Sequence, residues 1–263
     1  MRKLKSFVFI ALAALTISAC SNSKSEVEQG SAQELYNKGE TYLQDGDYTQ
    51  AIRYLEATEN RFPFGNYSEQ TQLNLIYAYY KAQDYTQTLT TAERFLRQHP
   101  NSPNLDYVLY MAGLTNTALG ENWMQNLFSV DRASREPVSV LNAFGNFQTL
   151  VHNFPNSIYV PDALARMAYL KARLARHELK IAEFYADRNA YVAVVNRVEG
   201  MLRQYSDTQE TYQALPLMKR AYEEMGLTKM ANDVQRIIDA NKDKQFADIE
   251  KPKEPELSVP KAQ

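Results

Sequence analysis

The sequence predicts an all-α protein, a superhelical solenoid of about five helix pairs. Three observations predict it. The segment Gly46-Asp47-Tyr48-Thr49-Gln50-Ala51 returns as Gln83-Asp84-Tyr85-Thr86-Gln87-Thr88, so Tyr48 and Tyr85 stand 37 residues apart, as do Pro63 and Pro100. Between those markers apolar residues recur at three- and four-residue steps, the period of an amphipathic helix. The chain has few glycines and prolines (9 and 10) and nothing that reads as strands joined by hairpin turns.

At the N-terminus Arg2, Lys3 and Lys5 precede an apolar run from Phe7 to Ile17. That run is too short to span a bilayer, which needs about twenty apolar residues, so residues 1–19 read as a secretory signal peptide. It ends in Ile17-Ser18-Ala19-Cys20, which resembles the lipobox cut by lipoprotein signal peptidase. Cys20 is the single cysteine of the chain, so no disulfide framework competes for it. A covalent lipid on Cys20 is therefore expected; a generic signal with an incidental cysteine is the alternative. One acyl chain anchors marginally, at about 0.8 kcal/mol per buried methylene, and several anchor stably. The resemblance implies three chains and permanent attachment. Ser21 stands where an aspartate would mark retention at the inner membrane, which by the same resemblance favours the outer one. Residues 20–30 are polar and read as a lipidated flexible tether.

Residues 31–242 carry the repeats. Pro100-Asn101-Ser102 returns as Pro155-Asn156-Ser157 after 55 residues, and Ser206-Asp207-Thr208 echoes it after a further 51. A last step of 37 reaches Asp243, giving five repeats, the third and fourth with insertions of 18 and 14 residues. Each should hold two amphipathic helices. Repeat one places Tyr36, Gly39 and Tyr42 on its first helix and Ala51, Leu55 and Thr58 on its second; repeat five offers Tyr222, Gly226 and Ala231. Small residues let paired helices approach, and aromatics fill the gap to the neighbour. The pattern resembles the tetratricopeptide repeat, three residues longer than the usual period of about 34, so extended turns are expected. An irregular helical bundle is the alternative. Residues 243–263 mix Lys, Glu and Pro with little apolar content and read as a disordered polar tail.

Removing Arg2, Lys3 and Lys5 from the 29 basic side chains leaves 26 against 31 acidic ones, a net charge near −5. Nucleic-acid binding wants a basic face and is not expected. His99, His152 and His177 are scattered, with no His-Glu-x-x-His pattern, no Gly-x-Ser-x-Gly and no phosphate-cradling glycine loop. Neither a catalytic residue, a metal site nor a cofactor is expected beyond the lipid. The insertion in repeat three holds Trp123, Met124, Leu127, Phe128 and Val130, then Asp131-Arg132 and Arg135-Glu136-Pro137. It reads as an extra helix packed on the solenoid, or as a partner-facing loop.

The candidate binding surface is the face of the first helices. Tyr36 in repeat one, Leu73, Tyr77 and Tyr80 in repeat two, and Tyr107, Tyr110 and Leu114 in repeat three recur at helical steps. Such tyrosines would make an amphipathic peptide groove, ring faces for side chains and hydroxyls for peptide groups. The alternative is that some of them pack between repeats.

Longer motifs carry a family resemblance. Asn60-Arg61-Phe62-Pro63-Phe64-Gly65, Leu75-Ile76-Tyr77-Ala78-Tyr79-Tyr80-Lys81, Asn104-Leu105-Asp106-Tyr107-Val108, Phe128-Ser129-Val130-Asp131-Arg132 and Val194-Val195-Asn196-Arg197-Val198-Glu199-Gly200-Met201 are similar to the BamD family, lipoproteins of the machine that folds β-barrels into the outer membrane. The likeness runs from the lipobox to about residue 240. It implies a non-enzymatic subunit, lipid-anchored at the outer membrane and facing the periplasm. By resemblance, the N-terminal repeats bind the C-terminal signal of unfolded outer-membrane proteins, a strand segment ending in an aromatic residue. The C-terminal repeats dock the periplasmic domain of BamA, with Arg197 at the family arginine that meets an acidic partner residue; BamC and BamE are further implied partners. Two other classes are alternatives: a murein-cleaving enzyme, which needs a catalytic domain beyond the solenoid, and a generic periplasmic adaptor for proteases or division proteins.

Overall fold

The structure, a computed structural model, describes residues 27, 29–125, 138–247 and 249–262, and no side chain of 121–125. Cys20 with its lipobox and most of the tether lie outside the described residues. So do Leu127, Phe128, Val130, Asp131, Arg132, Arg135, Glu136 and Pro137 of the insertion, and the side chains of Trp123 and Met124.

Among the described residues there are ten helices and no strand. They are α1 (Ala32–Gln44), α2 (Tyr48–Arg61), α3 (Ser68–Lys81), α4 (Tyr85–Gln98), α5 (Leu105–Gln125), α6 (Val138–Asn153), α7 (Val160–Ala186), α8 (Tyr191–Gln204), α9 (Gln209–Glu224) and α10 (Thr228–Ala240). Taken two at a time they are the five helix pairs read from the sequence. Helices α1 to α4 pack in chain order, as do α6 to α10, and first helices of adjacent pairs also touch, α1 with α3 and α7 with α9. That nearest-neighbour packing is the arrangement of a repeat protein. The chain forms two compact units: a first of residues up to Ala112 together with the tail from Leu257, and a second of Gly113–Glu256.

The turns explain why the repeat is visible. Inside four of the pairs one residue sits in the left-handed region: Gly46 at φ 77°, Gln83 at 61°, Asn189 at 56° and Gly226 at 73°. Its N–H donates to the carbonyl three residues back, and the next N–H to the carbonyl five back, as Gly46 to Leu43 and Asp47 to Tyr42. This is the Schellman ending, which satisfies the orphan carbonyls of the first helix. The next residue caps the second helix: Asp47 and Asp84 accept from the backbone N–H of Gln50 and Gln87, both at 3.1 Å. A turn residue, a capping aspartate and a glutamine three positions on thus recur at the repeat period.

The turns between pairs share a second geometry. Phe62, His99, Phe154 and Tyr205 each donate their N–H to the carbonyl four residues back. Their own carbonyls accept from Gly65, Ser102, Ser157 and Thr208. The Pro-Asn-Ser echo is this turn, with an aromatic ring at each helix end.

Close packing uses a missing side chain at one place in particular. A Cβ on Gly39 would lie 2.7 Å from Leu55 Cγ, so α1 and α2 approach more closely there than any larger residue allows. Around that contact Tyr36, Ala51, Leu55, Leu75 and Tyr79 form a core of the first unit. The Tyr79 hydroxyl donates to Glu56 at 2.6 Å, and Tyr222 to Glu199 at 3.3 Å in the second unit. Each bond ties the second helix of one pair to the first helix of the next.

The tail, read from its composition as a disordered polar segment, makes main-chain contacts with the helices. Its described residues form neither helix nor strand, yet their backbone is held. In the second unit Arg166, buried and paired with Asp162, donates to the Lys253 carbonyl at 2.7 Å. From Leu257 the tail lies in the first unit, where side-chain amides receive it. A polar segment buries little apolar area, so main-chain hydrogen bonds rather than a core hold it.

Candidate functional site

The first unit contains an open groove of about 720 Å³ between α1 and α3. Helix α1 supplies Tyr36, Glu40, Leu43 and Gln44, residues that helical periodicity puts on one face. Asn66 and Tyr67 just before α3, with Gln70, Asn74 and Tyr77 along it, supply the opposing face, and Tyr48 closes one end from the start of α2. Two ring pairs form the walls. Tyr36 stacks on Tyr67 with centroids 4.7 Å apart, and Tyr48 meets Tyr77 edge-on at 6.1 Å.

The groove also carries amides. Gln70 donates to Asn74 Oδ1 at 3.0 Å, and the buried Asn74 nitrogen makes no hydrogen bond of normal geometry among the described residues. Burial first, then the Glu40 carboxylate, pushes the Tyr36 phenol above its ordinary pKa, with the Asn74 amide opposing. Burial, then Tyr48, does the same for Tyr77. Both phenols are therefore protonated hydrogen-bond donors at neutral pH.

An extended segment of the tail walls one side of this groove. Ser258, Val259, Lys261 and Ala262 share its lining. Gln70 Nε2 donates to the Pro260 carbonyl at 2.9 Å, while Gln70 Oε1 accepts from the Ala262 N–H. Asn104 Nδ2 donates to the Lys261 carbonyl at 3.3 Å. Gln70 thus clamps two main-chain groups two residues apart, a mode that reads extended backbone and not side-chain identity.

Of the residues expected to bind peptide, Tyr36 and Tyr77 come together in this groove. Leu73 (0% exposed), Tyr107 (0%) and Tyr110 (2%) are instead core, with no surface for a peptide. Tyr80 is half-buried against the Tyr85 ring at 6.1 Å and does not line the groove. The cause is register: the groove stripe on α3 runs through Gln70, Asn74 and Tyr77, and Leu73 and Tyr80 lie round the helix from it. The aromatic pattern of the sequence points to neither Tyr67, Gln70 and Asn74 nor the tail. One signal was available: Gln70 and Asn74 set two amides on one face of α3 at four-residue spacing.

Arg197 lies in the second unit, in a pocket of about 600 Å³ lined by Glu178, Tyr185, Asn196, Arg197, Gln204 and Tyr205, among others. Its guanidinium already holds an acid of this chain, Glu178, at 2.8 Å, with the two side chains 37% and 24% exposed. A partly exposed pair of this kind contributes under about 1 kcal/mol, so an incoming carboxylate could share or replace Glu178 at small cost. Beside it, burial lowers the His177 pKa, with Arg197 adding to that and Glu178 opposing.

No group of three potential metal ligands occurs among the described residues. None of the described helices is long and apolar enough to cross a membrane.

A family described as outer membrane lipoprotein (YfiO) has a model that matches residues 28–237. The chain belongs to this family. It is 68% identical to "Outer membrane protein assembly factor BamD" of Pasteurella multocida, covering 97% of this chain and 98% of that one. The protein of the same name from Haemophilus influenzae is 61% identical over 99% of each chain. That of Vibrio cholerae is 42% identical over 88% of this chain and 95% of its own. The BamD resemblance seen in the motifs is thus a family membership, and these relatives are named as assembly factors, not enzymes. The matched span stops short of the tail that enters the groove.

Proposed function

We propose that this chain is a non-enzymatic subunit of the outer-membrane β-barrel assembly machinery. It is anchored by lipid on Cys20 at the outer membrane and faces the periplasm. Its first unit takes the C-terminal segment of unfolded outer-membrane proteins in the groove between α1 and α3. Its second unit docks the periplasmic domain of BamA at the pocket around Arg197, with BamC and BamE as further partners. The names of the relatives support the assembly role. The observation that carries the substrate reading is the Gln70 clamp on Pro260 and Ala262 inside a tyrosine-walled groove. A barrel-strand segment is extended backbone, which that clamp fits, and its aromatic end fits against tyrosine rings. For the second unit, the pocket offers a partly exposed arginine whose present partner is easily exchanged.

A paired titration tests both sites on one preparation. Gln70→Ala should weaken binding of a C-terminal barrel-strand peptide about five- to tenfold, on the order of 1 kcal/mol, and leave capture of BamA intact. Arg197→Ala should weaken BamA capture and leave peptide affinity unchanged, because repeats contact only their neighbours. Melting temperatures are read alongside. Unchanged peptide affinity in a folded Gln70→Ala protein rules out the groove, and retained BamA capture in Arg197→Ala reduces that arginine to a surface charge.

A further inference from the structure

The Gln70 clamp of the groove is already engaged by this chain itself. We infer that residues 257–262 are a built-in competitor, a tethered segment that holds the first unit's groove until a client segment displaces it; this rests on the peptide-binding reading above. Three hydrogen bonds from two side chains place the segment there: Gln70 with Pro260 and with Ala262, and the buried Asn104 with Lys261. Val259 and Ala262 wall the same space as Tyr36, Tyr67 and Tyr77, and both groups of the Gln70 amide are bound to the tail, so a client takes that clamp only by displacing it. The family model ends at residue 237, short of the tail, whereas the alignment with the Haemophilus influenzae relative covers 99% of this chain and so takes in most of the tail.

The chemistry of the tail suits reversible occupancy. Pro252, Pro255 and Pro260 limit the conformations of the free segment, which lowers the entropy lost on docking. Leu257, Val259 and Ala262 are small or aliphatic, with no aromatic ring to engage the tyrosines, so the seated segment is held mainly by main-chain hydrogen bonds. Weak intrinsic binding suffices for a tethered ligand. At an effective concentration of about 1 mM, a tail with an intrinsic Kd near 0.1 mM would lower client affinity about tenfold. A client segment with an aromatic end gains ring contacts that the tail lacks and so can displace it.

The test uses the full lipidated protein in detergent micelles. A photoreactive side chain replaces Val259, and crosslinks are mapped by mass spectrometry. A C-terminal barrel-strand peptide is titrated against the unaltered chain, a chain lacking residues 257–263, and Val259→Asp, which puts a charge into the seated tail and leaves every α1 and α3 residue of the groove in place. The expected result is crosslinking to α1 and α3, about tenfold tighter peptide binding by both altered chains, and loss of that gain when free peptide of sequence 253–262 is added. Crosslinks absent from α1 and α3 overturn the proposal. So do crosslinks in place with equal affinity across the three proteins, which would show a docked tail that does not compete. If crosslinks map to the groove but the client peptide binds none of the three, the peptide-binding reading fails, and the competition with it.

Discussion

Gln83 occupies the left-handed position that glycine holds at Gly46 and Gly226, with φ 61°. A residue with a Cβ sits there at a cost on the order of 1 kcal/mol, which glycine avoids while adding some freedom to the unfolded chain. Gln83→Gly should therefore stabilise the protein by about 0.5 kcal/mol, a rise in melting temperature of about 1–2 °C. A fall would mean that the Gln83 side chain contributes more than its backbone costs. Single residues also mark the limit of what the sequence shows. Asp47 and Asp84 were visible as a recurring motif because each caps a helix, a local act between neighbours in the chain. Gln70 acts on Pro260 and Ala262, about 190 residues away, and no local pattern signals such a pairing.

Among the elements, α1 and α3 decide where the groove lies. Their repeat period and amphipathic stripes were legible, because turn chemistry and burial both repeat along the chain. Which tyrosine faced the groove was not. Tyr77, Tyr79 and Tyr80 are consecutive or nearly so, yet one lines the groove, one is core bonded to Glu56, and one packs on Tyr85. A rotation of about 100° per residue separates those fates, and hydrophobicity alone cannot fix it when both faces are aromatic. The seat of α1 on α2 can be probed directly. Gly39→Ala places a methyl 2.7 Å from Leu55 Cγ, inside a side chain with no exposed surface. Overpacking of this kind should destabilise by about 1–3 kcal/mol, seen as a lower denaturation midpoint at an unchanged m-value. Because Tyr36 is on the same helix, peptide affinity should fall with it. Unaltered stability would mean that the two helices separate without penalty.

At the scale of the molecule, the tyrosine-walled groove belongs to the first unit, and the Arg197 pocket to the second. The repeat architecture lets each keep its own chemistry, since packing runs between neighbours in the chain. The tail joins the second unit through Arg166 and Lys253, and the first through Gln70 and Asn104. Capture of client backbone between α1 and α3 is the central claim, and site-specific photocrosslinking in growing cells tests it most directly. A photoreactive side chain is placed at Tyr77, at Tyr80, or at the exposed Asn232 of α10, in chains with and without residues 257–263. The account predicts adducts between position 77 and the C-terminal segments of newly made outer-membrane proteins, stronger when the tail is removed, and few from positions 80 and 232. Adducts absent at position 77, or equal at all three positions, would contradict it.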